Sequence, residues 1–294
     1  MCRHCGTINF VPDSARETDE EPVYQKPWFV PEPEIPVKKS FLGPRSLGDI
    51  ISEIFSIYKK DFGAILGISA LIQMPYFVLL MLAMVLDQSL AGNVIATYFG
   101  LFFTALLVLI VTFVGYPFME GALFFGVGER YLGGKMDALQ CYQISLKRLG
   151  SLIGSAVLIT LACAALTLTI IGIPIVIYLS IGWQFYVQTV MLEKLRPTKA
   201  LARSLNLVKG HWWRVLGIML VPCIIIIAVE FILSLISIYA YFTGLLILYP
   251  AMIFARTSIY FDLRVRREGY NPEMLKQEMQ ELTGEYVLPA PDGR

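Results

Sequence analysis

The basic residues of this chain alternate with long apolar runs, and this alternation constrains the fold more than any other feature. All 24 Lys and Arg residues fall in four segments, which span residues 3–60, 130–148, 194–214 and 256–294. The turns near residues 87–93, 171–173 and 237–242 carry none of them. A multi-pass membrane protein shows this pattern when its basic segments all stay in the cytoplasm. The sequence therefore predicts an integral membrane protein with both termini on the cytoplasmic side.

The apolar runs are long enough to cross a bilayer, which needs about 20 mostly apolar residues. Only 16% of the residues are charged, whereas a soluble domain has about 25%. Six runs qualify as spans: Phe62–Leu86, Ile95–Val127, Leu149–Ile171, Ile173–Leu192, Val215–Ile236 and Thr243–Tyr260. The second is too long for one straight span, so we expect it to bend or protrude. We predict an all-α, six-span protein of the inner (cytoplasmic) cell membrane.

An amphipathic helix precedes the first span, and this unit recurs along the chain. Ser46–Lys60 repeats apolar residues with helical spacing, with Ser46 as N-cap and Asp49 in the first turn. The sequence Phe62–Gly67 matches Trp212–Gly217 at an offset of 150 residues, and Met136–Gly154 is a weaker third copy. The returning spans also correspond, since Tyr-Pro recurs at 116–117 and 249–250. We therefore predict three repeats, each an interfacial helix followed by a transmembrane hairpin.

The N-terminus carries a Cys-x-x-Cys knuckle formed by Cys2 and Cys5, with His4 as a further candidate zinc ligand. Structural zinc usually takes two such knuckles, so residues 1–10 resemble half of a zinc ribbon. Three interpretations remain: a second knuckle lies upstream, two chains share one zinc, or the knuckle binds nothing. Zinc is the only cofactor that this pattern indicates. The five cysteines form no disulfide framework, which favours a reducing compartment.

The remaining domain boundaries follow from composition. Residues 11–45 hold seven prolines and seven acidic residues, and such a segment buries too little apolar surface to fold. We expect a disordered linker there, a membrane domain over residues 46–268, and a cytoplasmic tail with a short helix over residues 269–294.

Two segments resemble a known family of membrane domains. In the first, Met191–Gly217, the matching residues are Glu193, Ala200, Arg203, Ser204, Lys209, Gly210, Trp213 and Arg214. In the second, they are Tyr260 to Arg264, followed by Arg266, Arg267, Glu268 and Gly269. These segments are similar to the membrane domain found in some glycerophosphoryl diester phosphodiesterases and in stand-alone bacterial membrane proteins. The resemblance implies a helical bundle without the phosphodiesterase domain, because no stretch outside the spans could hold its eight-stranded barrel.

Three ionisable residues lie inside the predicted spans: Glu120, Glu230 and Arg256. A charge at the bilayer centre costs about 2.5–3.5 kcal/mol on insertion scales, so such groups usually face protein or water and have partners. Glu120 and Arg256 lie at similar depth, counted from Arg130 and Arg264 at about 1.5 Å per residue. We predict that they pair, as a lock for the bundle or as part of a polar cavity. Gln184 and Gln188 are the expected neighbours. Glu230 lies towards the outer face, where it is either a proton-titrating group of a transporter or, as we favour, a residue that extends to the outer interface.

Aromatic and basic residues cluster where the spans meet the predicted cytoplasmic face. The candidate headgroup-binding residues are Lys59, Lys60, Lys209, His211, Trp212, Trp213, Arg214 and Arg264. Trp and Tyr favour the headgroup level, and basic side chains attract anionic lipid there. Simple anchoring and a specific phospholipid site both fit this pattern.

No motif in the chain indicates catalysis, since nucleophile elbows, phosphate loops and metalloprotease helices are all missing. The net charge of +1 gives no basis for nucleic-acid binding. We therefore expect a non-enzymatic membrane protein whose partners are lipids, with a role in envelope maintenance; a homo-oligomer is compatible with this. The alternative is a small-molecule or ion transporter with a polar site at mid-membrane.

Overall fold

The computed structural model describes residues 45–89 and 93–284, and these residues form helices and no strands. The α-helices are α1 Leu47–Ser89, α2 Val94–Ile110, α3 Tyr116–Tyr131, α4 Ala138–Thr167, α5 Gly172–Gly182, α6 Tyr186–Met191, α7 Pro197–Val208, α8 Trp212–Ile236, α9 Ile238–Glu268 and α10 Pro272–Thr283. A short π-helical turn, Val111–Gly115, joins α2 to α3. The prediction of an all-α fold is confirmed for the described part of the chain.

Five helical segments are long and apolar enough to cross a membrane: Leu47–Ala83, Val94–Tyr131, Ala138–Thr167, Trp212–Ile236 and Ile238–Glu268. Their apolar side chains are largely exposed on the outside of the bundle, and α2 has no buried residue at all. An exposed apolar surface of this extent suits hydrocarbon rather than water. The chain is a multi-pass membrane protein.

The predicted fourth span, Ile173–Leu192, is not one helix, and this corrects the sequence interpretation. Helix α5 ends at Gly182 and α6 begins at Tyr186. The buried Ser204 hydroxyl of α7 donates to the Gly182 carbonyl (2.7 Å) and accepts from the Phe185 amide (3.1 Å). Because this hydroxyl satisfies two backbone groups that an unbroken helix would pair internally, the interruption is stabilised by a tertiary contact.

The three predicted interfacial segments are helical, but each joins its span differently. Helix α1 begins with a reciprocal cap between Ser46 and Asp49 and bends at Asp61, where φ is −124° and ψ is 24°. Helix α4 starts at the N-cap Asp137 and runs without interruption to Thr167. The third segment, α7, is separated from α8 by a turn in which Gly210 has a φ of +85°.

The long second apolar run, which we expect to bend or protrude, changes helix type in its middle. The Tyr116 amide donates to the Val111 carbonyl, five residues earlier. Pro117 has no amide hydrogen and its ring crowds the preceding turn, so the helix widens locally just before it. Gly115 is required here, because a Cβ would lie 2.8 Å from Ile72 of α1.

Several helix ends meet at one pole of the molecule, which we call the charged end. There the Asp262 carboxylate of α9 accepts from the Arg45 amide (2.8 Å) and from Arg214 at the start of α8 (3.1 Å). Arg45 also pairs with Glu53 and donates to Tyr131 at the end of α3 (3.1 Å). The start of α1, the end of α3, the start of α8 and the end of α9 therefore lie together.

Candidate functional site

The central polar cluster consists of Glu120, Gln188 and Arg256, from α3, α6 and α9. Arg256 Nη1 donates to Glu120 Oε2 at 2.8 Å, so the ion pair predicted from depth is present. Gln188 Nε2 donates to the other carboxylate oxygen, Oε1, at 3.3 Å. Glu120 is only 3% exposed and Gln188 is fully buried. Both oxygens of this carboxylate have partners, so its charge is compensated inside the protein.

Some polar atoms of this cluster have no hydrogen-bond partner among the described residues. Within the cluster these are the donor Arg256 Nε and the acceptor Gln188 Oε1. Gln184 Oε1, nearby in sequence but outside the cluster, also has no partner. No described hydrogen bond joins Gln184 to the Glu120–Arg256 pair. One donor and one acceptor left over beside a buried ion pair can bind a small polar molecule such as water.

Sequence reasoning missed two further buried polar residues of α1, Ser69 and Gln73. Both lie within the apolar segment and are at most 1% exposed. Gln73 Nε2 lies 3.7 Å from the sulfur of Met119, the neighbour of Glu120. Their spacing of four residues puts them on one face of a helix, and this signal was available in the sequence.

Glu230 of α8 does not extend to the outer interface, contrary to the sequence expectation. It is 7% exposed, and neither carboxylate oxygen has a partner among the described residues. A Cβ on Gly244 of α9 would lie 2.8 and 2.9 Å from these two oxygens. The carboxyl group therefore lies directly against the glycine backbone, which leaves room for it between the two helices.

Arg264 does not face the headgroups, which corrects its assignment as an interface residue. It is 4% exposed and pairs with Glu278 of α10 (2.8 Å) and with Glu268 (3.0 Å). Its guanidinium also lies 3.9 Å from the ring centroid of Tyr270. Burial, together with the hydrogen bond to Glu278, raises the pKa of Tyr270 above its usual value. Through its ion pair with Glu278, Arg264 thus links helix α10 to the end of α9.

The residues behind the family resemblance form a second part of the same network. Arg203 Nε of α7 donates to Glu193 at 2.7 Å, and its Nη2 pairs with Glu268 at 2.5 Å. Glu193 also accepts from the Tyr260 hydroxyl at 2.9 Å. Burial alone would lower the pKa of Arg203, but the two carboxylates more than offset it and raise that pKa. These side chains join the segment after α6 to α7 and α9.

The aromatic groove is an apolar depression of about 370 Å³ lined by Pro174, Ile177, Tyr178, Trp212 and Trp213. The Trp212 indole donates to the Tyr178 carbonyl (3.2 Å), and the two rings stack at 5.9 Å. Trp213 stands edge-on to Trp212 and is 78% exposed. The groove is therefore a preformed aromatic surface between α5 and α8.

The turn before α8 carries polar residues that are close in sequence to Trp212 and Trp213 of this groove. Lys209 is exposed, and His211 is partly buried with no hydrogen-bond partner for Nδ1 among the described residues. Arg214 is partly exposed, although it is held by Asp262. Lys59 and Lys60 are exposed on α1, as expected for interface residues. The candidate zinc ligands Cys2, His4 and Cys5 lie outside the described residues.

A family model described as a domain of unknown function (DUF7847) matches residues 144–263. The matched stretch runs from within α4 to near the end of α9 and includes Gln188, Glu230, Arg256 and the aromatic groove. No curated protein and no solved structure matches the chain.

Proposed function

We propose that this protein is a non-enzymatic membrane protein of the bacterial inner membrane that binds an anionic phospholipid in the aromatic groove. A role as an accessory protein in envelope maintenance fits such binding. The observation that carries the proposal is the groove itself, which adjoins a basic turn. Two of its lining residues, Trp212 and Trp213, also lie in the first segment that resembles the membrane domain of glycerophosphoryl diester phosphodiesterases.

The groove has the chemistry of an acyl-chain site. All five lining residues present apolar surface, and Trp213 is exposed although an indole ring is costly to leave in water. Lys209 and His211 lie three residues and one residue before Trp212 and can approach a phosphate, while Trp rings favour the headgroup level. An apolar chain with an anionic head therefore matches the groove better than a soluble polar ligand.

Six membrane passes, with both termini in the cytoplasm, are part of this proposal. Glu193, at the exit of α6, contacts Tyr260 and Arg203 near the charged end. Helix α4 leaves the same end, because it follows α3 after a short turn and Tyr131 of α3 contacts Arg45 there. The chain must then return through α5 and α6, which we propose to be a broken sixth span. The three hairpins with their interfacial helices would then be three repeats.

The experiment is purification in native lipid discs followed by mass spectrometry of bound lipids and metals. We expect one anionic phospholipid to be enriched over the bulk membrane, and Trp213→Ala to lower that enrichment about tenfold, the effect of losing about 1.4 kcal/mol of aromatic contact. Phe99→Ala is the matched control, because Phe99 is an exposed aromatic residue of α2, outside the groove. A lipid profile identical to the bulk in all three proteins would reject the proposal.

Transport is the second candidate, and the break between α5 and α6 favours it. Broken helices often line substrate sites in transporters, and Gln188 lies in the short helix that follows the break. The test is a Gln188→Cys variant in which the native cysteines are replaced. Labelling by a membrane-impermeant thiol reagent would show an aqueous path to the central polar cluster. Absence of labelling in a folded protein that retains its lipid would exclude that path.

A further inference from the structure

Glu230 is a buried carboxyl group in an apolar segment, and the lipid-binding proposal does not use it. It has no hydrogen-bond partner in the described part of the chain. It lies about 24 Å along the axis of α8 from Arg214, counted at 1.5 Å per residue. Both oxygens are shielded from solvent, and no described hydrogen bond reaches either of them. Such a group needs a specific explanation, because buried polar atoms are normally satisfied.

The packing around Glu230 is closed by α9. Gly244 faces the carboxyl group so closely that a Cβ there would meet both oxygens and, at 2.5 Å, Leu233 of α8. A glycine at this position admits the carboxyl group against the helix backbone, where weak Cα–H contacts can form. The carboxyl group is therefore enclosed by the hairpin rather than directed away from it.

No cation compensates Glu230 within the elements packed around it. In α8 the only other charged residue is Arg214, and in α9 the first is Arg256, which is already paired with Glu120. Helix α5 has none, and α1, which also packs on α9, has none between residues 62 and 85. The titratable groups on the outer part of α9 are the phenols Tyr239 and Tyr241, which are uncharged at neutral pH.

We propose that Glu230 and Gly244 form a proton-binding site in the outer half of the α8–α9 hairpin. An unpaired carboxylate is far more costly in this environment than a carboxylic acid, so the group takes up a proton and is neutral at physiological pH. Glu120 is the opposite case, because Arg256 and Gln188 compensate its charge. Glu230 in the α8–α9 hairpin thus binds a proton, whereas Glu120 in the central polar cluster forms an ion pair with Arg256.

An apolar carbodiimide distinguishes the two carboxyl groups in the intact protein in lipid discs. The acid O–H adds across one C=N bond of the reagent: the carboxyl oxygen bonds to the central carbon and the proton moves to nitrogen. Migration of the acyl group then gives a stable N-acylurea, which retains every atom of the reagent. We expect peptide mass spectrometry to find this adduct on Glu230 at about pH 8, where an ordinary glutamate is almost fully ionised, and to find none on Glu120.

Infrared spectroscopy gives a second measurement that does not depend on access of the reagent. We expect the wild-type protein to show the C=O stretch of a protonated carboxylic acid from about pH 6 to about pH 8, a range in which exposed glutamates are ionised. Glu230→Gln should remove this band, and Glu230→Asp should keep it. A spectrum without the band throughout this range, in a protein that is folded, would overturn the proposal, as would labelling of Glu120 in place of Glu230.

Discussion

Glu120 and Glu230 lie in similarly apolar segments, but the contacts of their carboxyl groups are very different. Both lie in apolar helices, and both are more than nine-tenths buried. Glu120 has a hydrogen-bonded partner on each oxygen, one of them a cation. Glu230 has none among the described residues and lies against Gly244. The same residue type can therefore link three helices in one region and be enclosed between two in another.

Burial alone therefore does not decide what an intramembrane carboxyl group does. A charge that is compensated by a nearby guanidinium contributes to the fold only as long as its partner remains. A carboxyl group without a partner avoids the cost by becoming neutral. Loss of the carboxylate should thus destabilise the protein strongly at Glu120 and only slightly at Glu230.

The largest effect is expected for Arg256→Met, which leaves the Glu120 carboxylate buried without a cation. Breaking a buried ion pair from one side costs about 3–5 kcal/mol. The measurement is thermal unfolding in a mild detergent. The double variant Glu120→Met with Arg256→Met is the control, because it removes both charges, and it should recover most of the loss. Equal destabilisation of the single and double variants would mean that the charge is not what matters.

Next in size is Gly244→Ala, because the added methyl group would meet Leu233 and both oxygens of Glu230. Overpacking of this kind costs about 1–3 kcal/mol, again read from thermal unfolding. Combining it with Glu230→Ala frees the space, so the double variant should be more stable than Gly244→Ala alone. If the two changes were simply additive, the carboxyl group would not occupy the space that we assign to it.

The contrast between the two carboxyl groups could be predicted only in part from the sequence. The pairing of Glu120 with Arg256 follows from a count of residues, because the two lie at similar distances from a basic residue near the end of their helices, Arg130 and Arg264 respectively. Their partner Gln188, which lies in another apolar run, Ile173–Leu192, is also a neighbour that the sequence predicts. The burial of Glu230 does not follow from such a count, because a count gives depth but not direction, and the space beside Gly244 depends on how two helices pack.

The interruption between α5 and α6 could also not be predicted from the sequence. The run Ile173–Leu192 contains no charge, and its one proline lies at the start, so periodicity predicts a continuous span. The contact that stabilises the break comes from Ser204, which is 22 residues from Gly182. The same limit applies at the charged end. Arg264 and Trp213 are both residue types expected at a membrane interface. Only the packing of the fold shows that Arg264 is buried in ion pairs whereas Trp213 is exposed.

A smaller loss is expected for Ser204→Ala, which probes how the break supports the central polar cluster. The substitution leaves the Gly182 carbonyl and the Phe185 amide without their shared partner, at a cost of about 1–2 kcal/mol. Because Gln188 follows in α6, hydrogen exchange should rise first over residues 182–191. Ser155→Ala is the control, since that hydroxyl bonds only to the carbonyl of Ser151 in its own helix. Unchanged exchange over this segment would show that the break is held by other contacts.

Glu230→Gln is expected to change stability least, and it tests directly whether the Glu230 carboxyl group is already neutral. If Glu230 already holds a proton, replacing it by an uncharged side chain of nearly the same shape changes little, and we expect a shift within about 0.5 kcal/mol. Glu120→Gln differs in that it leaves the Arg256 guanidinium buried without an anion, and it should cost about 3–5 kcal/mol like the reverse deletion. Thermal unfolding of both variants in the same detergent, near neutral pH, gives the difference directly. A large loss for Glu230→Gln would mean that its carboxylate is ionised and has a partner, and the distinction between the two glutamates would then disappear.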